Sequence, residues 1–231
     1  MRKRTLFWPI PALSVVWLIT AMAGDETPKT AVRRPAHHTD GGFRIPWDAS
    51  TDKSFSQLMR WRWDVWTKGR PDTPPAASFP LAKINHALID TNPTQFTATW
   101  IGHATLLVQM DGLNILTDPI FSDRASPISW FGPKRVSDLP VDLDSLPPID
   151  VVIISHDHYD HLDAPTIDRL GDRPHYLVPL GFKEWLADRG IIRKVTELDW
   201  WEGVEIRGVR FVATPSQHWC ARSHIDRNER L

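Results

Sequence analysis

The spacing of apolar and polar residues divides this chain into an irregular amino-terminal part and a regular remainder beginning near Gln95. In the remainder, short apolar runs alternate with turn residues at the spacing of strands and short helices. Phe96 to Trp100 and Ala104 to Met110 predict two strands, with Ile101-Gly102-His103 between them. Asp111-Gly112 is a tight-turn dipeptide, and Leu113 to Thr117 is the returning strand. Val151-Val152-Ile153-Ile154 is short, β-branched and preceded by Pro147-Pro148, which predicts a buried strand. Asp163 is a candidate N-cap for a short helix, with Pro165 in its first turn and Gly171 past its end. His175 to Val178 predicts a strand, and Phe182 to Arg189 a helix stopped by Gly190. Val195 to Leu198, Val204 to Ile206 and Val209 to Ala213 predict three more strands. The class is α/β (α+β), and residues 95–231 form its folded domain.

The amino-terminal part reads differently. Residues 1–23 open with Met1-Arg2-Lys3-Arg4, continue with the apolar stretch Leu6 to Ile19 and end on Ala21-Met22-Ala23. That order predicts an export signal cut before Gly24, or an uncleaved membrane anchor. Either places the remainder in the periplasm or at a membrane if the host is bacterial. Residues 24–53, broken by Pro28, Pro35 and Gly41-Gly42, predict a linker, with His37-His38 as a solvated pair. Residues 54–94 predict an extension of helix and loop. Within it, Ser54 to Trp66 carries Phe55, Leu58, Met59, Trp61, Trp63 and Trp66 as a broad apolar face. That face is expected to pack on the domain, with a lipid-interface role as the alternative.

Composition narrows the chemistry. A net charge of -1 over 231 residues predicts no nucleic-acid footprint. The single cysteine, Cys220, excludes an internal disulfide and a multi-cysteine zinc site. The ligand-rich stretch is His156-Asp157-His158-Tyr159-Asp160-His161, directly after the predicted strand at Val151. His156 and His158 are two apart, so an extended segment faces both to one side. Asp160 and His161 follow where the chain must turn. One segment can thus present two imidazoles to one cation, and a carboxylate with an imidazole to a second. Zinc or another borderline divalent metal suits that ligand set. His218, at the end of the strand over Val209 to Ala213, is the candidate third imidazole.

The H-x-H-x-D-H pattern at His156–His161 resembles that of the metallo-β-lactamase superfamily. Four further blocks are similar to one branch of it, the N-acylphosphatidylethanolamine-hydrolysing phospholipase D group. They are Trp100-Ile101-Gly102-His103-Ala104-Thr105, Leu116-Thr117-Asp118-Pro119-Ile120-Phe121, Gly132-Pro133-Lys134-Arg135-Val136 and Thr214-Pro215-Ser216-Gln217-His218-Trp219-Cys220. The resemblance implies a four-layer αββα sandwich with two zincs at one edge. It implies His156, His158 and His218 on the first zinc, and Asp160 and His161 on the second. Asp118 matches an acidic residue that orients a histidine ligand, Asp160 could polarise a ligand or a water, and His103 lies near the site without an assigned role. The implied reaction is hydrolysis of a phospholipid or other phosphodiester, possible at a membrane surface, releasing phosphatidic acid and an N-acylethanolamine. A lactonase on the same fold and a non-catalytic remnant remain as alternatives.

Against that family the chain stops early. The Asp that bridges the metals and a late His find no counterpart, and His224 and Asp226 match neither. The expectation is therefore the amino-terminal half of the sandwich and a little more, with at most one tightly bound zinc. A sheet face is expected to lie uncovered at Ala104, Leu106 and Val108, and at Val209, Phe211 and Ala213.

Overall fold

The computed structural model describes residues 34–47, 54–69, 75, 82–91, 95–223 and 225–231. The expected export signal lies outside them. The apolar runs after Gln95 become strands β3 (Thr97–Gly102), β4 (Thr105–Met110), β5 (Leu113–Thr117), β6 (Val151–Ile153), β7 (His175–Pro179) and β8 (Val195–Leu198). They form one six-stranded sheet in the order β3-β4-β5-β6-β7-β8. Its first three strands are antiparallel, and β5 through β8 run parallel. The β4–β5 connection is the Asp111-Gly112 pair, and both residues have positive φ, at 48° and 72°. Such a turn matches the right-handed twist of the strands it joins, and Gly adopts it without a Cβ penalty.

Each face of this sheet has its own cover. Helices α3 (Ala164–Leu170) and α4 (Lys183–Ala187) contribute Ile167, Leu170 and Leu186 to a cluster with Leu107, Leu116, Val152, Tyr176 and Val178. On the opposite face, β9 (Gly203–Ile206) and β10 (Val209–Val212) form a separate antiparallel hairpin. Its Val204, Ile206, Val209 and Phe211 pack with Val108, Leu113, Ile115, Val151 and Leu177. The layers are thus helix, sheet and sheet. Val151 and Val152 face opposite ways, and both are fully buried, as a central parallel strand requires. Three of the residues expected to lie uncovered instead meet one another: Val108 and Phe211 are half-buried in one cluster with the buried Val209.

Two expectations about the amino-terminal part are corrected. The described portion of the stretch read as a linker contains a hairpin, β1 (His38–Thr39) with β2 (Gly42–Phe43). Phe43 N–H donates to Asn228 O at 2.7 Å. A Cβ on Gly42 would meet that same oxygen, so only glycine fits the approach. His37 and His38 are not a solvated pair, because both hydrogen-bond to Asp199. Their partner is 162 and 161 residues away, beyond the reach of local pattern. Second, helix α1 (Phe55–Lys68) begins at Ser54 with a capping box closed by Gln57, but none of its residues is buried. Its Phe55, Trp63 and Trp66 are 75%, 61% and 76% exposed. The apolar stripe exists but does not pack on the domain, since periodicity specifies a face and not its cover. Among the described residues, no helix is long and apolar enough to cross a membrane.

Candidate metal centre

The ligand-rich residues gather beyond the carboxyl ends of the parallel strands, where open α/β sheets place their sites. β5 delivers Asp118, whose N–H donates to Ile153 O at 2.8 Å. β6 delivers Ser155 through His161, and the segment after β10 delivers His218. The β3–β4 turn adds His103. Asp118 and His103 both have positive φ, 35° and 51°. Non-glycine residues held there store backbone strain, and such positions concentrate at functional sites.

The first set is His156, His158 and His218, whose ligand atoms lie within 4.8 Å of one another. His156 Nε2 is 3.0 Å from His158 Nδ1, and His218 Nε2 is 3.2 Å from the same atom. The protons can be placed by elimination. Ser155 Oγ donates to Asp118 Oδ2 at 2.6 Å, so it accepts from His156 Nδ1 at 2.8 Å. A neutral His156 then directs a lone pair from Nε2 towards the centre. Burial, reinforced by His161, His158 and His218 against Asp118, pushes the His156 pKa down to about 3. Burial, with His218 next, likewise lowers that of His158, and burial also leads the lowering at His218. His158 Nε2 is buried and has no partner. Three imidazoles whose charged forms are disfavoured thus bring their nitrogens together, and that ligand set fits one borderline divalent cation.

The second set is His103, Asp160 and His161, again with ligand atoms within 4.8 Å. His161 Nδ1 lies 2.9 Å from Asp118 Oδ2, and His161 Nε2 lies 3.6 Å from Asp160 Oδ2. Burial opposes the charged form of His161, but Asp118 and Asp160 outweigh it, and its pKa is raised. Burial pushes the Asp160 carboxyl up, while His161, a backbone hydrogen bond and His103 hold it below the usual range. Asp118 therefore reaches both sets, one through Ser155 and the other directly. Its Oδ1 also accepts from Ser155 N at 2.7 Å.

The loop is held from below by contacts that local sequence pattern does not specify. Asp157 is 1% exposed and accepts from Arg230 Nη1 at 3.0 Å. Arg222 Nη1 donates to Asp157 O and Leu162 O, and its guanidinium lies over the Tyr159 ring. Asp226 caps the adjoining turn by accepting from Arg222 N and Ser223 N. Asp163 does not act as a side-chain cap of α3. Its Oδ2 instead accepts from Phe121 N, Ser122 N and the Thr166 hydroxyl, fixing the loop that follows Asp118. That loop walls a cavity of about 700 Å³, lined also by Trp100, His103, Lys134, Arg135, His158 and Asp160.

Comparison with known proteins agrees with this architecture. Residues 113–231, just over half of the chain, match the family model described as beta-lactamase superfamily domain. An N-acyl-phosphatidylethanolamine-hydrolyzing phospholipase D 1 of Caenorhabditis elegans is 43% identical over 145 residues, which is 58% of this chain and 41% of that protein. An uncharacterised protein of Mycobacterium tuberculosis is 40% identical over 160 residues, covering 68% of this chain and 42% of its own. The mitochondrial N-acyl-phosphatidylethanolamine-hydrolyzing phospholipase D of Saccharomyces cerevisiae is 36% identical over 139 residues, 58% of this chain and 29% of that protein. The chain thus spans less than half the length of these curated relatives.

Proposed function

The chain belongs to the beta-lactamase superfamily, and from that premise we propose that it acts as a metal-dependent hydrolase of phosphodiesters of the N-acylphosphatidylethanolamine kind. One observation carries the reading. His158, on which His156 and His218 converge, lines a cavity whose wall also bears Lys134 and Arg135. Cationic side chains attract a phosphodiester anion, whereas a lactone offers them no charge. The names of the worm and yeast relatives point to the same substrate.

Within this reading each side chain has a defined task. His156, His158 and His218 hold one divalent cation, and zinc suits an all-imidazole set. Such a cation supplies Lewis acidity, lowering the pKa of water and offsetting charge that grows on phosphoryl oxygens. Asp118 keeps a proton on His156 Nδ1 through Ser155, and on His161 Nδ1 directly, so that each Nε2 faces inward. Asp160 lines the cavity, where its carboxylate can accept a hydrogen bond from water. Trp100 and Trp219 give the same cavity apolar walls for the substrate's non-ionic part. The exposed indoles of Trp63 and Trp66 on α1 support docking at a lipid surface, where indole rings favour the headgroup zone.

The test is a side-by-side assay of the zinc-loaded chain on N-acylphosphatidylethanolamine, a bis-aryl phosphodiester and a lactone. Phosphodiester cleavage that disappears on chelation and returns with zinc is the expected result. Cleavage of the lactone alone would replace the reading with a lactonase. Stoichiometric zinc binding without hydrolysis of any substrate would make the chain a non-catalytic metal-binding protein.

A further inference from the structure

The long loop after Asp118 closes on itself before it reaches Arg135. Arg124 and Lys134 form an isolated antiparallel bridge. Ala125 N–H donates to Pro133 O at 3.1 Å, and Arg135 N–H donates to Asp123 O at 2.8 Å. Arg124 Nη1 adds a bond to Gly132 O at 2.6 Å. The Arg135 side chain is tied down as well. Its Nη2 donates to Ile120 O at 2.8 Å and to Ser122 O at 3.1 Å. Two acceptors on one nitrogen of a planar group fix the plane of the guanidinium.

The rest of that guanidinium is unused. Nε is buried without a partner. Nη1 has no hydrogen-bond acceptor among the described residues, and Arg135 forms no ion pair with any of them. Burial pushes its pKa down, against the attraction of Asp123 and Asp163, which lie beyond ion-pair distance. A guanidinium nevertheless stays charged in a protein. A half-buried cation without a counter-charge is costly, and donors left open in this way call for a reason. Nη1 lies against Gly102, one residue before His103, where an added Cβ would come within 3.3 Å of it. Arg135 lines the same cavity as His158 and Asp160. Lys134 lines it too, but it is exposed, so water already solvates its charge.

We propose that Arg135 makes the cavity selective for a singly charged phosphodiester: Nη1 donates to a non-bridging phosphoryl oxygen, and the bound anion supplies the missing counter-charge. A fixed charged donor distinguishes an anion from a neutral ester of the same shape, because the neutral ligand leaves the half-buried charge unmatched. The proposal rests on the reading of this cavity as a phosphodiester site. A purely structural Arg135 would instead do no more than brace Ile120 and Ser122.

Titration calorimetry with dibutylphosphinate and tributylphosphine oxide separates the two roles. The first is an anion and the second is neutral, and neither carries an ester bond to cleave. Both are titrated into the zinc-loaded and the metal-free chain. Wild type should prefer the phosphinate in both forms. Arg135→Met should lose roughly 10–100-fold in phosphinate affinity, as for a hydrogen bond to a charged group, and less than about twofold for the oxide. Arg135→Lys keeps the charge and should recover part of the loss. Equal losses for the two ligands would show a brace and overturn the proposal. Phosphinate affinity unchanged in Arg135→Met would overturn it too, as would a wild type without preference for the anion. Thermal melts establish that each variant folds. Should Arg135→Met not melt cooperatively, Arg135→Gln, whose amide keeps hydrogens for the two carbonyls, replaces it under the same criteria. Hydrolysis tells the two readings apart. Wild-type cleavage of a phosphodiester, with phosphinate binding indifferent to Arg135, removes this proposal and leaves the hydrolase. Phosphinate binding that depends on Arg135, without cleavage of any phosphodiester, removes the hydrolase and leaves the anion site standing.

Discussion

At the end of β8, Asp199 accepts from His37 Nε2 at 2.5 Å on one carboxylate oxygen and from His38 Nε2 at 2.7 Å on the other. At the end of β6, by contrast, His156, His158 and His218 turn ring nitrogens on one another at 3.0 and 3.2 Å, with no carboxylate among them. Both clusters bring ligand atoms within 4.8 Å. They differ in whether donors and acceptors match. Asp199 is satisfied: Trp200 N adds a third hydrogen bond at 2.7 Å, and His37 stacks on the Trp200 ring. The other cluster is made of imidazoles alone, whose single N–H groups cannot match every ring nitrogen, and His158 Nε2 is buried without a partner. Proximity alone therefore does not make a metal site. A cation is favoured where the protein's own protons leave a cluster unsatisfied.

The largest effect should come from His156→Ala. It removes one of three nitrogens from the unsatisfied cluster and should weaken metal binding there by more than about a hundredfold, against roughly 10–100-fold for an outer partner. Equilibrium dialysis with zinc measures this. A variant that retains metal as tightly as the wild type would erase the contrast between the clusters. Asp118→Asn should have the next largest effect. Ser155 Oγ and His161 Nδ1 both donate to Oδ2 while Ser155 N donates to Oδ1, so an amide either sets its NH2 against Ser155 N or takes the acceptor from Ser155 Oγ and His161 together. The expected cost is about 10–100-fold in metal affinity. Unchanged affinity at both sets would mean that Asp118 orients neither.

How far the sequence foretold these clusters follows from the range of each signal. The H-x-H spacing is local, so two ligands on one side of an extended segment could be read directly. Val151 to Ile154 and Asp111-Gly112 were equally legible, because a short β-branched run and a tight-turn pair specify local backbone. His218 needed the motif before it, since a single histidine at a strand end carries little information. The convergence of His103 on Asp160 depends on the order of strands in the sheet, which local pattern does not specify. The same holds for His37 and His38: two neighbouring histidines between prolines and glycines give no hint of Asp199. For α1, the stripe of Phe55, Trp63 and Trp66 was visible, while its exposure was not.

The smallest effect should come from the satisfied cluster, and it should fall on stability alone. In Asp199→Asn the amide oxygen can accept from one imidazole, but the amide nitrogen faces the other, donor against donor. One partly buried hydrogen bond lost in this way costs about 1–3 kcal/mol, or roughly 2–4 °C in Tm per kcal/mol for a chain of this size. Zinc retention should not change. The pH dependence gives a sharper mark. Burial pushes the Asp199 carboxyl up, but hydrogen bonds from His37, Trp200 N and His38 outweigh it and hold the pKa below the usual range. A carboxylate depressed in the folded state contributes its stability fully above the unfolded value, about 3.9, and loses it as pH falls through the lower folded value. The Tm gap between wild type and Asp199→Asn should therefore be constant above about pH 5 and close below about pH 4. Melts from pH 3 to 7 at matched ionic strength would measure it. A gap that persists unchanged at the acid end, or zinc lost along with stability, would show that the two clusters are not the different objects their proton patterns make them.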